Sequence, residues 1–150
     1  MKALIQRVTR ATVSVDSHRI GRCERGFLIL LGVGPHDQET DARWLAQKIA
    51  GLRVFPDKDG RMNLSLMDIQ GEALVVSQFT LYGDCSKGRR PSFVGSAPPM
   101  LAERLYDRFV KLLSELNVPT QTGQFGADMQ VELLNDGPVT LMIESPQKKC

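Results

Sequence analysis

Histidine, cysteine and tryptophan are scarce in this sequence, with two, three and one residues among 150. The cysteines, Cys23, Cys85 and Cys150, are far apart, odd in number and form no C-x-x-C pair. That spacing excludes a disulfide framework and a zinc site. His18 and His36 lie near no cysteine, so neither a metal nor a metal cofactor is expected. Charge of one sign is lacking as well: 19 Lys plus Arg against 17 Asp plus Glu leave a net charge of +2. A protein that coats nucleic acid by bulk electrostatics needs far more, so any RNA contact must rest on a local basic cluster. Long apolar runs are missing too. The longest, Phe27 to Leu31, falls well short of the ~20 residues of a spanning helix. The apolar run Ala3 to Ile5, flanked by Lys2 and Arg7, is too short for a signal-peptide core. Together these absences point to a cytoplasmic protein.

What is present suits one compact domain over residues 1–150, 42% hydrophobic and 24% charged, long enough to bury roughly two thirds of its unfolded surface. Leu4 to Val8 and Thr12 to Val15 alternate apolar and polar residues, predicting two strands joined by a bend at Arg10. After a polar stretch, Phe27 to Val33 reads as a strand covered on both faces. Asp37 is placed to cap a helix carrying Trp44, Leu45, Ile49 and Leu52 on one face. The turn formers Pro56 to Gly60 predict a loop, and Glu72 to Phe79 another strand. Residues Leu81 to Gly95 have no sustained period and read as a loop. A long helix follows, capped by Ser96 with Pro98 and Pro99 in its first turn. Met100, Leu101, Leu105, Phe109, Leu112, Leu113 and Leu116 are assigned to its buried face, and Asn117 and Pro119 stop it. The tail reads as a strand (130–134), a turn (135–138) and a strand (139–144). About six strands and two helices give an α+β domain: a mainly antiparallel sheet or small β-barrel with two main helices packed against it.

Three segments carry candidate chemistry. Ser77-Gln78-Phe79-Thr80 closes a strand, where a rigid sheet positions polar groups for a ligand. A lone hydroxyl needs a base to act as nucleophile, and in isolation Ser77 and Thr80 also read as groups that satisfy the turning backbone. Lys87-Gly88-Arg89-Arg90 places three cations in four residues, which suits phosphate oxygens of a nucleic-acid end but equally a solvated loop. Asn135-Asp136-Gly137-Pro138 reads as a tight turn. Gly137 before Pro138 is also a place where a cis peptide costs only ~0.5–1 kcal/mol, and such a bond would aim backbone carbonyls at a substrate. Asp57 and Asp59 lack the later ligands of a calcium loop. Trp44 and the scattered methionines, Met62 and Met67 among them, read as packing, and His18 and His36 as exposed structural residues.

Taken together, Ser77-Gln78-Phe79-Thr80-Leu81, Lys87-Gly88-Arg89-Arg90-Pro91-Ser92-Phe93 and Asn135-Asp136-Gly137-Pro138-Val139-Thr140 resemble the signature of D-aminoacyl-tRNA deacylases. The opening Met1 to Val8 and Gly126-Ala127-Asp128-Met129 are similar to that family too, so the likeness runs along essentially the whole chain. It implies a hydrolase that cleaves the ester between a D-amino acid and the 3′ end of tRNA, as chiral proofreading. The resemblance implies a homodimer with active sites at the subunit interface. Ser77, Gln78, Phe79 and Thr80 would line the catalytic pocket of one subunit, and Gly137-Pro138, in cis, would enter from the other and select chirality. Lys87, Arg89 and Arg90 would bind tRNA, and no cofactor would be needed. Two readings from other classes stand beside it: a non-catalytic RNA-binding module, and a small-metabolite hydrolase or deaminase with an interface pocket.

Overall fold

A computed structural model describes residues 1–146, so Cys150 lies outside the described residues. The chain order is β1 (Lys2–Val15), β2 (His18–Cys23), β3 (Gly26–Gly32), α1 (Glu39–Gly51), β4 (Phe55–Pro56), β5 (Met62–Leu64), β6 (Glu72–Ser77), α2 (Pro99–Glu115), β7 (Thr120–Thr122) and β8 (Gln130–Glu144). A single 3-10 turn, Phe79–Tyr82, follows β6. Strands β2, β1, β3, β6 and β7 pair in that order, and β8 pairs with β1. Pairs of β1 with β2, β3 and β8 are antiparallel, whereas β3–β6 and β6–β7 are parallel. Strand β7 returns to β2, where the Arg22 N–H donates to Gln121 Oε1 at 2.9 Å, so the sheet nearly closes on itself. The expected α+β domain, mainly antiparallel and barrel-like with two helices against it, is the observed one.

Strand β3 explains why the core has two compartments. Its alternate residues Phe27, Ile29 and Leu31 meet Leu45, Ile49, Phe109 and Leu113 of the helices. Leu28 and Leu30 point the other way, toward Val8, Val13, Leu74, Val76 and Met129 inside the curled sheet. A strand covered on both faces has no polar positions to spare, hence its continuous apolar run. Gly26 lies so close to the neighbouring strand that a Cβ would sit 1.8 Å from the Glu72 carbonyl oxygen.

Several expectations are corrected. β1 runs through Arg10 as one strand, because β8 pairs along its whole length and absorbs the irregularity in register shifts near Val8. The polar stretch after it forms β2, reversed at Asp16 and Ser17 with φ of 49° and 64°. The tail is not a hairpin: both halves of β8 pair with β1. Gln6 faces Thr140 while Val8 faces Asn135, so residues around Gly137 are extruded as a wide bulge within one strand. β6 ends at Ser77, opposite Leu31 at the end of β3, so Phe79 lies in the 3-10 turn rather than in the strand. Helix α1 is capped by Gln38, whose N–H donates to Asp41 Oδ2 at 2.8 Å, while Asp37 turns back to accept from the Gly34 N–H at 2.6 Å. Helix α2 is capped by Pro98, with Pro99 as its first residue. Ser96 instead donates its hydroxyl to the Phe93 carbonyl at 2.8 Å. Met100 is 88% exposed, because it stands about half a helical turn from the Leu105–Phe109–Leu112 stripe.

Candidate active site

The end of β6 delivers Ser77 and Gln78 to the rim of a pocket of about 550 Å³. Its walls come from the strand ends (Leu31, Val33, Val76), the start of α2 (Ala97, Pro99, Ala102) and the β7–β8 connection (Phe125, Ala127, Met129). The lining is mostly apolar, with Ser77, Gln78 and Ser96 as the polar side chains. The Gln78 N–H is already spent, donating to the Leu31 carbonyl at 2.8 Å as the last rung beyond the ladder. Phe79 and Thr80 open the next turn, where helical geometry leaves N–H groups without an intrahelical acceptor. Phe79 is 54% exposed, and its ring meets Phe93 edge-on with centroids 5.1 Å apart. The Thr80 hydroxyl accepts a short hydrogen bond from Gln78 Nε2. No histidine, cysteine or carboxylate stands among the pocket-lining residues.

Beyond the turn, Asp84 and Ser92 pair backbone to backbone at 2.8 and 2.9 Å. This bridge closes the exposed loop carrying Lys87, Arg89 and Arg90 and holds it beside Phe79 through Phe93. None of the three cations is among the residues that line the pocket. Cys85, on the same loop, is exposed. Cys23 is buried inside the curled sheet, and desolvation pushes its thiol up to about 12, with the Glu72 charge adding to the effect. That thiol keeps its proton near neutral pH.

Gly137–Pro138 is a cis peptide at the exposed crest of the β8 bulge, with Gly137 at φ 118°. Its support is a network that sequence reasoning missed. Arg7, only 8% exposed, donates from Nη1 to the Val54 carbonyl at 2.6 Å and from Nε to the Asp136 carbonyl at 3.2 Å. It also pairs with the Asp136 carboxylate at 3.2 Å. Asn135 Nδ2 donates to the Arg7 and Val139 carbonyls, both at 3.0 Å, clamping the base of the bulge. The φ of 118° favours glycine at this position, and a Cβ there would fall 2.7 Å from Arg7 Nη2, so that the guanidinium would have to shift from its place in this network. In sequence, Arg7 looks like one polar position of an alternating strand; its partners lie 47 and 129 residues away.

The structure does not bring the two motifs together within one chain. Ser77 lies in line with Leu31 and Ala3, while Gly137–Pro138 stands near the level of Arg7 on the far side of β1. Three strand spacings and about four residues along the strand separate them, a path of roughly 20 Å over the curled sheet. Neither Gly137 nor Pro138 lines the pocket. Among the described residues, no group of three or more His, Cys, Asp or Glu could hold a metal ion. No helix among the described residues is long and apolar enough to cross a membrane.

A nearly closed six-stranded sheet with two helices on one face, a pocket rimmed by backbone and amide groups, and a basic loop beside it define a small single-domain protein whose site lacks the usual catalytic side chains. The comparisons assign its lineage. The family model for D-Tyr-tRNA(Tyr) deacylase matches residues 4–144. A D-aminoacyl-tRNA deacylase of Thermosipho africanus is 57% identical over 145 residues, 97% of this chain and 97% of its own. One from Geobacter metallireducens is 58% identical over 147 residues, 98% and 97% of the two chains. The solved structure titled c-Myc DNA Unwinding Element Binding Protein superposes with a TM-score of 0.92 at 43% identity, covering 98% of this chain and 100% of that one. This chain belongs to the D-Tyr-tRNA(Tyr) deacylase family.

Proposed function

We propose that this protein hydrolyses the ester bond of D-aminoacyl-tRNA, releasing the free D-amino acid and tRNA in the cytoplasm. The observation that carries the reading is the pocket at the end of β6, in a chain that matches deacylases from end to end. It offers an apolar cavity for the acyl-adenosine end, backbone donors at its rim and no ionisable side chain in its lining. The amides of Phe79, which lines the pocket, and of Thr80, the next residue of the 3-10 turn, are assigned to meet the ester carbonyl as negative charge develops on its oxygen. The neighbouring Gln78 amide is excluded by its bond to Leu31. Attack comes from water, oriented or assisted by the 2′-hydroxyl of the terminal adenosine. The attacking water forms the new C–O bond, the tetrahedral intermediate collapses, and the ribose oxygen leaves with a proton. Thr80 fails as nucleophile because its partner is the Gln78 amide, which is no base near neutral pH in either orientation.

The active unit is a homodimer in which Gly137–Pro138 of one subunit completes the pocket of the other. The separation of the two motifs within one chain, and the exposure of the Gly137–Pro138 crest, favour this arrangement. A backbone carbonyl held where an L side chain would project excludes L substrates by clash, while a D side chain points outward and is barely read. Glycine has no side chain to reject, so glycyl-tRNA, including glycine mischarged on tRNA(Ala), is a further substrate. Lys87, Arg89 and Arg90 grip phosphates near the tRNA terminus.

The test is incubation of the purified protein with D-aminoacyl-tRNA in the presence of a chelator. Release of the D-amino acid supports the proposal; binding without release indicates an RNA-binding module, and neither points to a small-metabolite hydrolase. Replacing the terminal adenosine by 2′-deoxyadenosine should slow release strongly, and normal cleavage would remove the RNA from the mechanism.

A further inference from the structure

Tyr82, the last residue of the 3-10 turn, reaches away from the site into a slot built by two glycines. A Cβ on Gly32 would lie 3.1 and 3.2 Å from Tyr82 Cε2 and Cδ2. A Cβ on Gly34 would lie 3.0 to 3.2 Å from the Tyr82 hydroxyl, Cε1 and Cζ. The ring therefore lies close on the backbone where β3 runs into α1, in a space that a Cβ at either glycine would crowd by a few tenths of an ångström. Lys2 Nζ stands 4.7 Å from the ring centroid. The Tyr82 hydroxyl donates to Asp37 Oδ2 at 3.3 Å. Asp37 is itself fixed: the same oxygen accepts from the Gly34 N–H at 2.6 Å, and Oδ1 accepts from the α-ammonium of Met1 at 2.8 Å.

The turn Gln78–Tyr82 is thus held at both ends. At its start, the Gln78 N–H is tied to the Leu31 carbonyl. At its finish, Tyr82 is locked between the glycine backbone and a carboxylate already bound elsewhere. Between these anchors lie the amides of Phe79 and Thr80, and an oxyanion donor is useful only if its direction is set before the reaction. We propose that Tyr82 is a positioning residue, whose ring in the Gly32–Gly34 slot and hydroxyl on Asp37 fix the orientation of the Phe79 and Thr80 amides. The catalytic consequence rests on the reading of those amides as ester-binding donors. The mechanical part does not, since it concerns only the rigidity of the turn. Partial burial and the Asp37 carboxylate hold the phenol well above its ordinary range, so the hydroxyl keeps its proton and stays a donor through neutral and mildly alkaline pH.

Two variants address the anchor from opposite sides. Tyr82→Phe keeps the ring and deletes the hydroxyl; Gly34→Ala leaves Tyr82 intact and sets a methyl 3.0 to 3.2 Å from its ring and hydroxyl, so that the ring must shift in its slot. Amide hydrogen exchange reads the turn directly at Leu81, which donates to the Gln78 carbonyl at 3.3 Å, and at Gly83, which donates to the Thr80 carbonyl at 3.0 Å. Exchange at these two amides should rise about tenfold in at least one variant, the scale of one lost hydrogen bond, with β3 and β6 amides unchanged. On D-tyrosyl-tRNA, that variant should lose kcat by about tenfold with little change in KM, the split expected when donor aim is lost and substrate binding is kept. Unchanged exchange at Leu81 and Gly83 in both variants overturns the inference, as does faster exchange with full kcat. A wild-type protein that spares D-aminoacyl-tRNA overturns the reading of the site instead, and the exchange data still decide whether Tyr82 holds the turn.

Discussion

Thr80 carries a hydroxyl on the same residue as one of the proposed oxyanion donors, yet its partner is a neutral amide. Thr80→Ala should therefore keep most of the single-turnover deacylation rate, whereas loss of a true nucleophile would cost about 10⁴-fold or more. Two buried groups give the protein a second residue-level signature. Burial raises Cys23 from an ordinary 9.0 to about 12 and Tyr106 from 10.0 to about 12. The Tyr106 hydroxyl also donates to the Val75 carbonyl at 2.8 Å. Both groups hold their protons more tightly folded than unfolded. Their contribution to stability is thus complete below pH ~9 and is lost as pH climbs toward ~12. The thermal midpoint should stay level from pH 7 to 9 and then fall; a midpoint unchanged at pH 11 would contradict the burial of these groups.

At the scale of elements, the loop between β6 and α2 is the proposed contact with tRNA. Its Asp84–Ser92 bridge and the Phe79–Phe93 contact fix where Lys87, Arg89 and Arg90 stand. Replacing the three cations by alanine should weaken tRNA binding. It should also reduce the slope of log affinity against log salt by about 2, if each grips one single-strand phosphate. An unchanged slope would place these side chains away from the RNA. Elements with strong internal periodicity were legible without coordinates: β3 from its apolar run, and the core of α2 from Leu105, Phe109, Leu112 and Leu113. Strands β2 and β7 were not, because they are polar and owe their existence to partners that sequence pattern does not reveal. The tail misled for a related reason. Asp136-Gly137-Pro138 has turn chemistry, and only the fourteen-residue length of β1 lets one strand accept both flanks of the bulge. Ser77 to Thr80 was legible as a strand end bearing polar groups; Arg7, whose acceptors include the Val54 and Asp136 carbonyls, carried no local signal.

At the scale of the molecule, the pocket lined by Ser77, Gln78 and Phe79 and the Gly137–Pro138 crest stand apart on one chain. In the proposed homodimer a second copy brings them together. Exposed apolar side chains on β8, Leu134, Leu141 and Met142, flank the crest and suit burial against such a copy. Sedimentation should show a two-chain species, and specific activity should fall on dilution as that species dissociates. Full activity in a solution shown to hold only single chains would contradict the shared site. The near-balanced charge fits the proposal that one loop, rather than the whole surface, meets the RNA.

The central claim is that backbone geometry, without an ionisable catalytic side chain, cleaves the ester and reads chirality. The most direct measurement compares single-turnover deacylation of D-tyrosyl-tRNA and L-tyrosyl-tRNA by the same enzyme preparation. The account predicts rapid release of D-tyrosine, with L-tyrosyl-tRNA left at its spontaneous hydrolysis rate. Cleavage of the L ester with the D ester spared, or equal rates for both, would contradict it.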